Sequence, residues 1–406
     1  MKRIARILAA TALVSLAALS ANVSAQDVST TAPPPAKPAI QYVEGRGVVF
    51  RTPDNLFEAS LGFNLQVRFT NFDFDPASTS ADGDEFRVRR FKLIMSGFAF
   101  DPRLTWRFQA AFESTAANRY LDDAWLNWRF SDAVSLQGGE YKTPFSRDEL
   151  YNDGVIQFPE RALATDTFKP SRDVGAMLAG GFWKNRLAYQ AGVFGGEGQN
   201  SLRATEHVMP MLRLVWNVFG EMGQSEADVQ NHQDAAFSLG AAGFHNTLKK
   251  TTDTGFDAIA LNYTAPTGWL GRNVKLFTTG EDVSIQEGGL EGQFKWHGLS
   301  VQGEYYVGQA LGKDSRVKLY AYGYYGQAGF FILPCKLDVA ARYSLVDYDR
   351  NVGNDSVSIV SAVSNYYFRR NSLKVTFDYS RTHRQRPLPG EPLNDQSFII
   401  QAQLFP

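Results

Sequence analysis

From Phe57 to Phe69 every odd-numbered residue is apolar (Phe57, Ala59, Leu61, Phe63, Leu65, Val67, Phe69), and every even-numbered one is Glu, Ser, Gly, Asn, Gln or Arg. A helix would scatter these residues around its axis. A period of two instead puts the apolar set on one face of a β-strand and the polar set on the other. The run is also long: strands of soluble proteins average about 5–6 residues, whereas a tilted strand crossing a bilayer needs about 9–11. The pattern therefore predicts a transmembrane stave with one face toward lipid and the other toward water.

Residues 1–25 read as an export signal. Lys2, Arg3 and Arg6 open it, Ile7 to Leu19 is its apolar stretch, and Val23-Ser24-Ala25 offers small residues for cleavage before Gln26. After Ala25 no window of about 20 residues is apolar without charges, so a membrane-resident mature chain must cross with strands closed into a barrel. Removing the signal lowers the 41 basic residues to 38 against 42 acidic ones, a formal charge of −4. That balance argues against nucleic acid as a partner and leaves any attraction for anions to the local placement of basic residues. A hydrophobic fraction of 44% with a mean hydropathy of −0.26 fits strands that are half lipid-facing and half wet. The single cysteine, Cys335, cannot form an intramolecular disulfide, and its odd phase with Leu337, Val339 and Ala341 predicts an inert lipid-facing thiol.

A proline-rich tether is expected over 26–42, with Pro33, Pro34, Pro35 and Pro38, and an ordered barrel domain over 43–406. Alternation recurs along that domain, clearly at Arg103–Glu113, Leu299–Val307, Cys335–Leu345 and Leu373–Tyr379 and more faintly elsewhere, in roughly 16–18 segments. The fold class expected is an all-β, antiparallel transmembrane barrel of about 16 strands. Tyr120, Trp125, Trp128, Trp183, Trp216, Trp269, Trp296, Tyr366 and Tyr367 fall near segment ends and are candidates for aromatic girdles at the membrane interfaces.

Between Tyr141 and Asp173 about thirty residues lack alternation, too many for a tight turn. Arg147, Arg161, Lys169 and Arg172 lie there among Phe145, Phe158 and Phe168, which predicts a packed loop folded into the lumen with its cations facing what passes. Strand phase adds Arg68, Arg90, Lys92, Arg103 and Arg107 as lumen candidates, with Arg87 and Arg89 nearer the polar rim. Catalytic templates are poorly served. None of His207, His232, His245, His297 and His383 has a second ligand at metal-site spacing, no serine sits in a nucleophile elbow, and Gly195-Gly196-Glu197-Gly198 lacks the Lys-Ser/Thr of a phosphate loop. No catalysis, metal or cofactor is expected.

Several pieces of the chain resemble the family of phosphate-selective porins O and P. They are Arg89-Arg90-Phe91-Lys92 leading to Gly97, Leu121-Asp122-Asp123-Ala124-Trp125-Leu126, Gly138-Gly139-Glu140-Tyr141-Lys142-Thr143-Pro144-Phe145, and Phe158-Pro159-Glu160-Arg161 followed by Arg172-Asp173-Val174-Gly175. The resemblance implies a 16-stranded, trimeric barrel in the Gram-negative outer membrane, inserted into lipid by the barrel-assembly machinery, and it matches Lys142, Arg161 and Arg172 to basic positions of the family. It further implies a passive channel for small anions such as phosphate. The C-terminus departs from the usual final aromatic, since Phe405 is followed by Pro406. Two other functions stay open at this point: a non-conducting structural or receptor barrel, and a secreted β-rich carbohydrate-binding protein.

Overall fold

A computed structural model describes residues 39–75, 81–112, 120–201, 207–258, 261–388 and 391–406. The export signal and most of the tether lie outside them. Where the tether was expected to continue to residue 42, Ala39–Val43 (β1) instead pairs with Gly47–Arg51 (β2) as a hairpin.

The wall begins with Phe57–Phe74 (β3), Gly83–Ala99 (β4), Asp101–Ala111 (β5), Leu121–Arg129 (β6) and Ser135–Lys142 (β7). It continues through Arg172–Phe182 (β8), Leu187–Phe194 (β9), Met209–Phe219 (β10) and Ala236–Thr252 (β11), with a short Gly255–Phe256 (β12) leaning on β11. Asp282–Trp296 (β13), Leu299–Gly312 (β14), Lys318–Leu333 (β15), Leu337–Asp347 (β16), Ser356–Arg369 (β17), Leu373–Arg384 (β18) and Asn394–Leu404 (β19) complete it. Each wall strand pairs antiparallel with the next, β11 passing directly to β13, and β19 returns to β3 from Asp395↔Phe74 to Leu404↔Leu65. The result is a closed 16-strand barrel. Closure leaves no unpaired wall edge, which a lipid-exposed sheet requires.

The alternation that defines β3 sorts as predicted: Leu61 is 50% exposed on the outer face, whereas Asn64 is 0% exposed inside. At one end the connections are tight. Phe100 alone joins β4 to β5, His297-Gly298 joins β13 to β14, and both turns use left-handed backbone. At the other end lie the long connections, including 143–171, so the tight end is the periplasmic one by the rule for such barrels. Cys335 sits in the tight turn between β15 and β16 with φ 58°, and not on the lipid-facing strand the phase had suggested.

The interior is far from empty. Residues 143–171 fold inward with two short helices, Arg147–Leu150 (α1) and Leu163–Phe168 (α2). The Ser146 side chain caps α1 by accepting from Glu149 N at 3.2 Å, the forward half of a Ser-x-x-Glu capping box. Phe145 and Phe168 pack on Tyr306 of β14, and Phe168 stacks on Trp269 from the connection between β12 and β13. Around them Phe244, Ile285, Leu319 and Val346 form an apolar core inside the barrel, against the β11–β16 side.

Candidate functional site: the constricted lumen

The inward loop is stapled to the wall by buried charge. Asp153 accepts from Lys92 Nζ at 2.7 Å and from Arg161 Nη1 at 2.7 Å, and Glu149 pairs with Arg161 Nε at 2.9 Å and Lys169 Nζ at 2.8 Å. Glu160 receives Arg68, Arg89 and Arg90 together. Burial would push the Asp153 and Glu160 carboxyls up, but the facing cations outweigh it and hold both well below the usual carboxylate range. Arg161 is shifted the other way: burial opposes its charge, yet Glu149 and Asp153 keep it well above its ordinary value. Arg147 reaches β13, with Glu291 at 2.8 Å, and Lys142 Nζ donates to the carbonyls of Glu149 (2.6 Å) and Tyr151 (2.7 Å). Most of the cations read from the sequence as facing solute are therefore brought together as clamps on the loop.

A second loop, 220–235, rises from the tight end between β10 and β11 and meets the first. Glu226 N donates to Val155 O at 3.2 Å, Gln157 N returns a bond to the Glu226 carboxylate at 2.7 Å, and Lys295 Nζ holds the carbonyls of Met222 and Ser225. Ala227 and Val229 pack on Phe331 and Tyr367. Burial, reinforced by the neighbouring Asp148 carboxylate, pushes the Glu226 carboxyl up to about 8.

These two loops fill much of the lumen, and a cavity of about 590 Å³ remains against the inner faces of β4 to β9. Arg107, Gln109, Asp123, Trp125, Gln137 and Gln190 border it from the wall; Tyr151, Asp153 and Val155 border it from the inward loop. Arg107 bonds Asp123 at 3.0 Å and Gln109 at 2.8 Å, and its side chain is 25% exposed. Arg172 pairs with Asp123 at 2.9 Å from the same rim. A narrowed, water-accessible slot between fixed charges has the geometry that discriminates among small solutes.

The model of the phosphate-selective porin O and P family matches residues 60–404, the whole barrel wall but for its first residues. The chain belongs to that family. The fold is also that of solved structures: an anion-selective porin from Comamonas acidovorans (8% identity, TM-score 0.60, 86% of this chain and 99% of that one), the outer membrane protein OmpT of Vibrio cholerae in its trimer form (12%, 0.56, 86% and 99%) and OprB of Pseudomonas putida (10%, 0.55, 86% and 94%). None of the curated protein sequences compared with the chain matches it. The protein is thus a passive outer-membrane porin.

Other residues of this porin depart from their expected places. Arg103 lies at the tight-end rim, 53% exposed along its side chain, bonded to Asp101 at 2.7 Å and stacked 5.2 Å from the Trp128 ring, so it does not enter the lumen. Strand phase fixes a side only while the strand is flanked on both sides; at the first turn of β5 the long side chain bends back to the carboxylate two residues away. Three aromatics expected in the girdles are inside. Trp125 lines the cavity, Trp269 is fully buried among the loops, and Tyr367 packs under the second loop, whereas Trp183, Trp216 and Trp296 do face outward near the tight end. Sequence reasoning missed loop 220–235 altogether, along with the inward Ile94 and Met177 and the three glutamines. Of the glutamines only Gln109 carried a readable signal, on the polar phase it shares with Thr105 and Arg107; Gln190 shares its phase with Ala188, Gly192 and Phe194.

Proposed function

We propose that small anions, phosphate among them, pass this porin through the eccentric slot between the β4–β9 wall and the tip of the inward loop. The observation that supports the reading is Arg107, the cation on that wall left partly open to the slot after its bonds to Asp123 and Gln109. With Lys142 and Arg172 it sets three cations against Glu44, Asp123 and Asp153 around the cavity, so the pull on an anion rests on the partly open Arg107 guanidinium, which can replace part of the anion's hydration, and not on a net excess of charge. The anion selectivity of the Comamonas relative in fold agrees with this. The trimer form of Vibrio OmpT makes a homotrimer the natural assembly here too. Export would proceed by cleavage after Ala25 and insertion into outer-membrane lipid by the barrel-assembly machinery, with no cofactor.

Single-channel recording in planar bilayers under a salt gradient tests it. The reversal potential should have the anion sign, and Arg107→Glu should move it toward the cation sign. A cation-signed potential in the native porin would sink the reading.

A further inference from the structure

Inner-face positions of a water-filled barrel are polar on every strand, and the slot breaks that rule on one side. Ile94 of β4, Trp125 of β6 and Met177 of β8 sit on the inward phase and border the cavity. Next to the indole the wall carries no side chain at Gly139, the register partner of Trp125, while at Gly175 beyond it the apolar Phe194 ring fills the place a Cβ would take. A Cβ on Gly139, whose φ is 133°, would lie 2.2 Å from the Ala124 carbonyl oxygen, so the strand path itself demands glycine beside the indole. Tyr141, which also borders the cavity, is 4% exposed, and its hydroxyl has no hydrogen-bond partner.

The slot therefore offers two chemistries side by side, the Arg107 guanidinium and the Trp125 indole, since the two residues are register partners on β5 and β6. Inorganic phosphate gains nothing from an indole and a thioether, and it loses water beside them. A solute with a charged head and a flat apolar body is served by both groups at once. We propose that this passage selects organic monoanions carrying a flat apolar body, aromatic carboxylates in chemical class, over inorganic or polyhydroxylated anions. The inference rests on the anion reading above and adds the apolar surface to it.

The test is block of the chloride current through the native porin by three probes: benzoate, gluconate and benzylammonium. Benzoate should block at about five-fold lower concentration than gluconate, the factor expected from covering roughly 40 Å² of apolar ring surface. Trp125→Gln should bring that ratio close to one. If this variant fails to insert, Met177→Gln should lower the same ratio. Equal block by benzoate and gluconate in the native porin would overturn the apolar contact while leaving anion preference standing. Tighter block by benzylammonium than by benzoate would overturn the anionic head, and with it the anion reading. An unchanged ratio in both variants would show that the apolar surface does not contact the solute.

Discussion

Residues 143–171 and 220–235 enter the barrel from opposite ends and meet at Val155 and Glu226, yet they are held by different chemistry. The first is seated on full charges: Asp153, Glu149 and Glu160 against Lys92, Arg161, Lys169, Arg68 and Arg90. The second is seated on backbone carbonyls, on Lys295 and on a carboxyl that burial keeps protonated near neutrality. Charge pairs fix a loop in one geometry and punish loss of a partner severely, because the survivor is left buried and alone. Hydrogen bonds with one neutral partner, such as those of Lys295 to carbonyls, yield in smaller steps. The constriction is thus defined by a rigid jaw and a softer one.

The largest test of the contrast is Asp153→Asn, which strips Lys92 and Arg161 of a shared buried partner and should cost about 3–5 kcal/mol of loop seating. Detergent-gel heat modifiability should show a lower unfolding temperature, and the single-channel conductance should rise as the jaw loosens.

Next comes pH, where the two loops should respond in opposite directions. The depressed Asp153 and Glu160 carboxyls contribute stability that is present above their ordinary values of 3.8 and 4.5 and lost only as pH falls through their lower folded values. Glu226 has a raised value, so its contribution is full below 4.5 and lost as pH rises through about 8. Hydrogen exchange of residues 224–229 should therefore quicken between pH 6 and pH 9 while 149–161, corrected for intrinsic rates, stays protected. Glu226→Gln should flatten the first response; a response that survives the substitution would assign it to another group.

The smallest effect is Ser225→Ala, which removes the donor to Val155 O (3.3 Å) and the acceptor for Asn371 Nδ2 (3.0 Å) and should cost about 1 kcal/mol. A shift as large as that of Asp153→Asn would mean the second loop is no softer than the first.

How much of this was legible depended on what each strand face meets. β3 reads cleanly because lipid lies on one side and polar partners on the other. β15 reads faintly because its inner face carries Leu319, Ala321, Tyr325 and Phe331 under the loops, so both phases are apolar. Residues 143–171 announced themselves by length, proline and the missing alternation. Residues 220–235 did not, since Gly220, Gly223, Ser225, Asp228 and Asn231 compose an ordinary surface turn, and only the fold supplies the Lys295, Gln157 and Gly298 groups that satisfy them indoors. The charges were visible but their partners were not: Lys92 and Asp153, or Arg68 and Glu160, are far apart in sequence and meet only once the barrel is closed.

That last dependence reaches furthest at the seam where β19 meets β3. Gln66 of β3 donates to Asp153 O at 3.1 Å and to Gln403 of β19 at 2.8 Å, Gln403 donates to Gly154 O at 2.8 Å, and Phe405 packs so closely on Gly154 that a Cβ there would fall 2.5 Å from its ring. The tip of the inward loop is thereby tied to the first and last staves together. In temporal terms, the filter cannot assemble on a partly built cylinder: the strand that closes the wall provides part of its mooring, so a narrowed channel and a sealed circumference arrive as one event.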